Sequence, residues 1–345
     1  MEISDFDYTL PADRIAQAPA DVRESSRLLV IDRASGALAD RTFRDLPALL
    51  CPGDLLVVND SRVIPARVYA RETMSGRAVE LLFVEPVTSG RWRALVRPGR
   101  RCQPGAGLTV GDPGGPQLTV VGIEDDGTRT IEWLDGSIDD LLQTHGLPPL
   151  PPYIERYAKP DLEDQERYQT VYARVAGSIA APTAGLHFSA PLLDRLRDRG
   201  VELASITLHV GPATFRPIRA TQVEAHALPA ERVTISPETA SAVNAARAAG
   251  RRIVAVGTTT TRTLEGCAGR DGALDAFDGR VGLYIYPGHR FRVVGALVTN
   301  FHLPRTSLLV LAAAFAGREL ILRAYRHAVD SGYRFYSYGD ATLIV

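Results

Sequence analysis

The sequence predicts an α/β fold, a layered main domain with a small antiparallel β-barrel inserted in it. Helical and strand patterns alternate on both flanks, which favours parallel strands layered between helices. Between the flanks, roughly residues 67–149 offer short alternating runs separated by Gly, Asp and Pro turns, the pattern of a small barrel. The expected division is 1–66 and 150–345 for the main domain and 67–149 for the insert, with Pro148-Pro149-Leu150-Pro151-Pro152 as a stiff exit.

Taken in order, Leu55-Leu56-Val57-Val58 reads as a buried strand that ends at Asn59-Asp60-Ser61-Arg62. Runs at 79–84, 91–96, 117–121 and 130–134 are the barrel strands, with turn clusters at 111–115 and 125–127. Ser189 caps a helix that has Pro191 in its first turn, Leu192, Leu193 and Leu196 on one face and Gly200 as its stop. Next comes a strand over 201–210. Ser236-Pro237-Glu238 opens the next helix, Gly250 closes it, and 252–256 is a buried strand. Ala296-Leu297-Val298 begins another strand, helices start near 306 and 318, and a last strand is expected near 333–336.

The bulk numbers narrow the class. With 45% hydrophobic and 23% charged residues the chain is globular rather than disordered. No run approaches the roughly 18–20 apolar residues that span a bilayer, and the segment 308–316 reads as a buried helix. The start is acidic and lacks the pattern of a signal peptide, so a cytoplasmic protein is expected. Cys51, Cys102 and Cys267 lie far apart with no metal-ligand spacing, which predicts reduced thiols and no metal. The net charge of −1 argues against a nucleic-acid protein, but its distribution argues otherwise. Arg62, Arg67, Arg71, Arg77, Arg91, Arg93, Arg97, Arg100 and Arg101 cluster, and guanidinium suits phosphate oxygens.

Three stretches carry chemistry. They are Ala180-Ala181-Pro182-Thr183-Ala184-Gly185-Leu186-His187-Phe188, Gly257-Thr258-Thr259-Thr260-Thr261-Arg262-Thr263-Leu264-Glu265 and Thr299-Asn300-Phe301-His302-Leu303-Pro304. Each sets polar groups around Gly or Pro beside apolar segments, which a polar small molecule needs and a bare fold does not. In parallel sheets ligands lie beyond the carboxyl ends of the strands. His209-Val210-Gly211, Gly257 and Asn300-Phe301-His302 all fall at such ends, which predicts one shared site. The glycine before four threonines can open a helix whose free N–H groups suit an anion, and a plain helix start is the alternative. Arg262 and Glu265 lie one turn apart and could simply pair. His187, His209, His226 and His302 are candidates for acid–base work. Asp60 is either a site carboxylate or an Asx-turn residue, and Asp340 either a site carboxylate or a turn residue.

Read together, the blocks resemble one family. Phe6-Asp7-Tyr8, Ser26-Arg27-Leu28-Leu29-Val30, Asn59-Asp60-Ser61-Arg62-Val63-Ile64-Pro65-Ala66-Arg67, Val96-Arg97-Pro98-Gly99-Arg100, Arg167-Tyr168-Gln169-Thr170-Val171-Tyr172-Ala173, the three stretches above and Tyr333-Arg334-Phe335-Tyr336-Ser337-Tyr338-Gly339-Asp340 occur in that order. In this they resemble the S-adenosylmethionine:tRNA ribosyltransferase-isomerases of queuosine biosynthesis, over essentially the whole chain.

The resemblance implies an enzyme with S-adenosylmethionine as co-substrate and no metal or permanent cofactor. The ribosyl part is transferred to 7-aminomethyl-7-deazaguanine at the tRNA wobble position and isomerised, giving epoxyqueuosine, adenine and methionine. It implies an α/β domain with an inserted barrel, and a monomer is expected. By position, His187, His302 or His209 would move protons, with Asp60 or Glu265 orienting the imidazole. Thr183, Gly185, Gly257, Thr258, Thr259, Arg262 and Asn300 would hold the co-substrate, and Arg62, Arg67, Arg97, Arg100 and Arg101 the tRNA backbone. Departures from the family pattern are Ser61 for Thr, Ala213 for Gly, Pro229 for a second His, and Val281-Gly282 for Thr-Asp. The rival readings are an S-adenosylmethionine-dependent enzyme acting on another amine and a non-catalytic tRNA-binding relative.

Overall fold

A computed structural model describes residues 1–160, 162–211, 218 and 220–345, with two structural units. The first comprises Met1–Arg62, Gln169–Val175 and Ala181–Val345; the second comprises Val63–Tyr168 and Ala176–Ala180. Ala213 lies outside the described residues.

The first unit is built on a nine-stranded mixed sheet. Its middle is parallel: Glu202–Leu208, Leu55–Asn59, Ile253–Val256 and Ala296–Asn300 lie side by side in that order. Leu55–Asn59, Ile253–Val256 and Ala296–Asn300 are buried at every residue, as continuous aliphatic strands covered on both faces must be. Leu56, Val58, Val254, Val256 and Val298 share one face and pack against Leu192, Leu193 and Leu196 of the Ala190–Asp198 helix, with Phe43 and Phe188. Ser189 caps that helix by accepting from the Leu192 N–H, and Ser236 caps Pro237–Ala248 in the same way. The edge strands Leu38–Thr42 and Phe277–Val281 are charged and partly exposed, which blunts edge pairing.

The second unit holds a closed antiparallel barrel of Arg67–Glu72, Ala78–Thr88, Arg91–Arg97, Gly107–Val110, Gln117–Ile123 and Arg129–Glu132. Alternate residues (Val68, Leu81, Phe83, Trp92, Leu108, Leu118, Val120 and Ile131) fill its interior. The fold class is therefore the expected one. The proline run at 148–152 lies within this unit.

One expected element is absent. Residues 333–336 form no strand; Phe335 makes only an isolated bridge to Ile15, and the terminal strand is Ala341–Ile344. The aromatic alternation there serves packing instead, because Tyr336 has φ +74 and breaks extended geometry. The Asp340 carboxylate closes the turn by accepting from the N–H groups of Arg27 and Arg334, both at 2.8 Å. Asp340 is thus a turn residue.

Candidate active site

The parallel strands end side by side, and the segments leaving their carboxyl ends build the site together with residues 181–184 and 336–337. A cleft of about 510 Å³, its open mouth included, lies in the first unit beyond these ends. Thr183 comes to it from the first chemical stretch, Gly257, Thr258 and Thr259 from the second, and Thr299, Asn300 and His302 from the third. Val210 joins them after the Glu202–Leu208 strand.

Gly257 turns the chain from strand to helix. Its φ of +91 and ψ of 153 suit only glycine, and its N–H donates to Val298 O at 2.7 Å. The Thr258–Cys267 helix starts there, so its first-turn N–H groups have no carbonyl one turn back. The four threonines divide their labour. Thr260 Oγ1 donates to Val256 O at 2.7 Å and Thr261 Oγ1 to Gly257 O at 3.1 Å, while Thr258 and Thr259 line the cleft.

The imidazoles separate in the same way. His302 lines the cleft, its Nε2 lies 3.0 Å from Thr299 Oγ1, and its main chain is pinned by the hydroxyls of Tyr325 and Tyr8. Burial pushes its pKa down to about 3, so it is neutral at physiological pH. His187 lies outside the lining, between Ser26 and Asn300, and stacks on Phe43 at 5.0 Å. Burial first, then the charges of Arg334 and Arg23, push its pKa down to about 3. His209 precedes the cleft-lining Val210; its Nδ1 is buried without a hydrogen-bond partner among the described residues. Burial, then Arg232, lowers its pKa against the pull of Asp60. His226 instead packs at right angles to the Tyr284 ring, the two centroids 5.0 Å apart.

Neither Asp60 nor Glu265 hydrogen-bonds His187, His302 or His209 among the described residues; the imidazole beside Glu265 is that of His289, its Nε2 3.6 Å from Glu265 Oε2. Asp60 accepts from Arg174 Nη2 at 2.7 Å and from Thr207 Oγ1 at 2.6 Å. Glu265 accepts from the N–H groups of Arg292, Val293 and Val294 at 2.9, 3.0 and 2.9 Å, and so clamps that loop. Burial would raise its pKa; the neighbouring His289 and these N–H groups hold it below the usual carboxylate range instead. Arg262 does not pair with Glu265. Its Nη1 lies 2.7 Å from Glu231 Oε2, its Nε donates to Leu283 O, and its Nη2 is buried without a partner among the described residues. Gly185 stands behind the cleft, where a Cβ would fall 2.1 Å from the Tyr172 hydroxyl.

Sequence comparison places this arrangement. A family model described as queuosine biosynthesis protein matches residues 3–344. An S-adenosylmethionine:tRNA ribosyltransferase-isomerase of Symbiobacterium thermophilum is 52% identical over 346 residues, 100% of each chain. That of Moorella thermoacetica is 51% identical over 347 residues, again 100% of each. The chain belongs to the queuosine biosynthesis protein family. The crystal structure of an S-adenosylmethionine tRNA ribosyltransferase from Thermotoga maritima is similar at 38% identity and a TM-score of 0.57, over 99% of this chain and 100% of that one.

The arginines of this family member sort by exposure. Arg62, Arg97 and Arg100 are exposed, and the side chain of Arg101 lies outside the described set. Arg67 corrects the expectation of a phosphate contact. It is only 4% exposed, pairs with Glu80 at 3.0 Å, and donates to the carbonyls of Tyr157 and Leu150. Its guanidinium holds the second unit together. Sequence reasoning assigned no site role to Tyr336 and Ser337, which line the cleft, or to Ser26 behind it. The signal was present, since both segments belong to the blocks that carry the family resemblance.

Proposed function

We propose that this protein transfers the ribosyl moiety of S-adenosylmethionine to 7-aminomethyl-7-deazaguanine at the tRNA wobble position and isomerises it. The products are epoxyqueuosine-tRNA, adenine and methionine. The reading is carried by one coincidence: relatives bearing this activity in their names match the whole chain, and the three polar stretches of the chain line one cleft.

The residues suit that chemistry. A sulfonium acidifies the adjacent ribose carbon, so a positioned proton acceptor can start the reaction there. Among the described residues His302 is the imidazole that lines the cleft; burial holds it in the neutral form from which a proton acceptor must start, while weakening it as a base. The free N–H groups of the Thr258–Cys267 helix and the hydroxyls of Thr258, Thr259 and Thr183 supply donors for the methionine carboxylate or the ribose. Adenine must be protonated as it leaves, and the attacking amine must be neutral. Asp60, Glu265 and Arg262 support the site by holding the strand ends and loops around it. Arg97 and Arg100 present guanidinium groups for tRNA phosphates.

The deciding experiment incubates the protein with S-adenosylmethionine and tRNA carrying 7-aminomethyl-7-deazaguanine. Digestion and mass spectrometry should find epoxyqueuosine, with adenine in equal amount. Wild-type turnover in His302→Ala would remove His302 from the chemistry. In the same preparation, Arg97→Ala with Arg100→Ala should weaken tRNA binding and lower its salt slope by about 1 per arginine, with co-substrate affinity unchanged. Absent product with competent tRNA would reject the reading in favour of another amine or of binding without catalysis.

A further inference from the structure

The polar wall of the cleft contains a hydrogen-bond relay whose direction is fixed by its two ends. Asn300 Nδ2 lies 3.1 Å from Tyr336 O and 3.1 Å from His187 Nε2. A carbonyl oxygen can only accept, so the nitrogen of the amide, and not its oxygen, must face Tyr336. Both amide hydrogens are then committed, and His187 Nε2 must accept one of them. A neutral imidazole that accepts at Nε2 carries its proton on Nδ1, which lies 2.7 Å from Ser26 Oγ. Ser26 Oγ in turn donates to Arg23 O at 3.3 Å. The relay thus runs from one backbone carbonyl to another, and no member can reverse without leaving two donors or two acceptors facing each other.

What remains is Asn300 Oδ1. It is buried and has no hydrogen-bond partner among the described residues, on a side chain that lines the cleft. Ser26, His187 and Asn300 are each at most 5% exposed, so solvent does not set their orientation. A buried acceptor left open this way is costly unless a ligand donor meets it.

We propose that Ser26 and His187 are positioning residues that fix the Asn300 amide so that its Oδ1 accepts a hydrogen bond from a hydroxyl or ammonium group of the adenosyl co-substrate. The proposal rests on reading the cleft as the S-adenosylmethionine site. It removes His187 from proton transfer: its only proton is directed at Ser26, away from the cleft.

The test has an arm that needs no variant. In protein labelled with ¹⁵N-histidine, the His187 ring should report a neutral Nδ1–H tautomer that does not titrate between about pH 5.5 and 8. An Nε2–H tautomer, or titration in that range, overturns the relay. In steady-state assays, Asn300→Ala should raise KM for S-adenosylmethionine roughly tenfold, with a smaller effect on kcat. His187→Leu should do nearly the same. His187→Gln should restore most of the loss, because the Gln carbonyl can accept from Asn300 where Nε2 did, whereas a proton-transfer residue would not be rescued. Within the Asn300→Ala background, His187→Leu should add nothing further. Additive losses, or a pH–kcat limb that disappears in His187→Gln, overturn the proposal. Ser26→Ala, a milder change, should raise KM in the same direction. S-adenosylhomocysteine analogues lacking the α-amino group or one ribose hydroxyl identify the donor: the partner is the group whose removal makes binding indifferent to Asn300→Ala. Should the wild-type protein form no epoxyqueuosine, the functional reading fails alone, and calorimetric binding of S-adenosylmethionine still tests Asn300.

Discussion

Tyr172 points its hydroxyl into a buried position with no hydrogen-bond partner among the described residues, and burial pushes its phenol pKa up. The space it reaches exists because residue 185 is glycine: a Cβ there would meet the hydroxyl at 2.1 Å and Thr170 Cγ2 at 2.7 Å. Gly185 is therefore a packing glycine one residue behind the cleft-lining Ala184. Two effects are expected. Tyr172→Phe removes an unpaired polar atom and should stabilise the protein by about 1 kcal/mol. Gly185→Ala should destabilise it by about 1–3 kcal/mol through overpacking, and Tyr172→Phe should recover much of that loss. Thermal unfolding of the two single variants and the double variant measures the coupling; equal costs in both backgrounds would place the clash at Thr170. None of this was legible in the string Ala184-Gly185-Leu186, because the neighbour that makes the glycine necessary lies on a separate segment.

The Thr258–Cys267 helix joins the sheet to the cleft, and its start depends on one backbone conformation. Gly257→Ala forces a side chain into a region essentially reserved for glycine and should cost about 1–3 kcal/mol. It should also weaken S-adenosylmethionine binding, because the first-turn N–H groups move with the strained residue. Gly250→Ala is the control: Gly250 has φ +66 with nothing within 4 Å of the added Cβ, and it ends a helix outside the cleft motifs. It should lower stability while leaving co-substrate affinity intact, as calorimetry would show; a matching loss of affinity would mean that the Gly257 effect is only general destabilisation. At this scale the caps, stops and buried strands were legible, since Ser189, Gly200, Ser236 and Gly250 announce helix ends locally. The expected strand at 333–336 was misread for an equally physical reason. Alternating aromatics look like a strand face, yet Phe335 and Tyr333 fill a ring cluster around Phe301 while Tyr336 adopts positive φ.

For the molecule as a whole, two buried neutral histidines make stability depend on pH. His187 and His302 have their ordinary value of 6.5 pushed down to about 3, chiefly by burial and at His187 also by Arg334 and Arg23. Between those values the unfolded chain takes up protons that the folded chain refuses. Their contribution is therefore fully present above pH 6.5 and is lost as pH falls through the window. From pH 7 to 5.5 the pair should cost about 2.5 kcal/mol of unfolding free energy. Urea denaturation at the two pH values measures it, and His302→Gln should remove about half of the drop. Glu265, held below its ordinary 4.5, also loses stability with acid, but only at lower pH. An undiminished drop in His302→Gln would assign the effect to other groups.

The sequence by itself determined the fold class, the family and the stretches that carry chemistry, because each is written in local order: periodicity, caps, Gly and Pro punctuation, and ordered blocks. It also placed residues 209–211, Gly257 and residues 300–302 at strand ends, which converge where parallel strands are neighbours. The arrival of residues 181–184 at the same cleft was decided by the tertiary structure. Only the tertiary structure decided what each polar group does there. Arg262 found Glu231 rather than Glu265, and Arg67 turned inward to Glu80 and backbone carbonyls. Thr260 and Thr261 turned to the main chain, and His187 stood behind Asn300 rather than in the cleft. A side chain's partner is set by distance and burial across segments far apart in sequence, and burial then fixes its charge state. Neither quantity is carried by residue type or spacing.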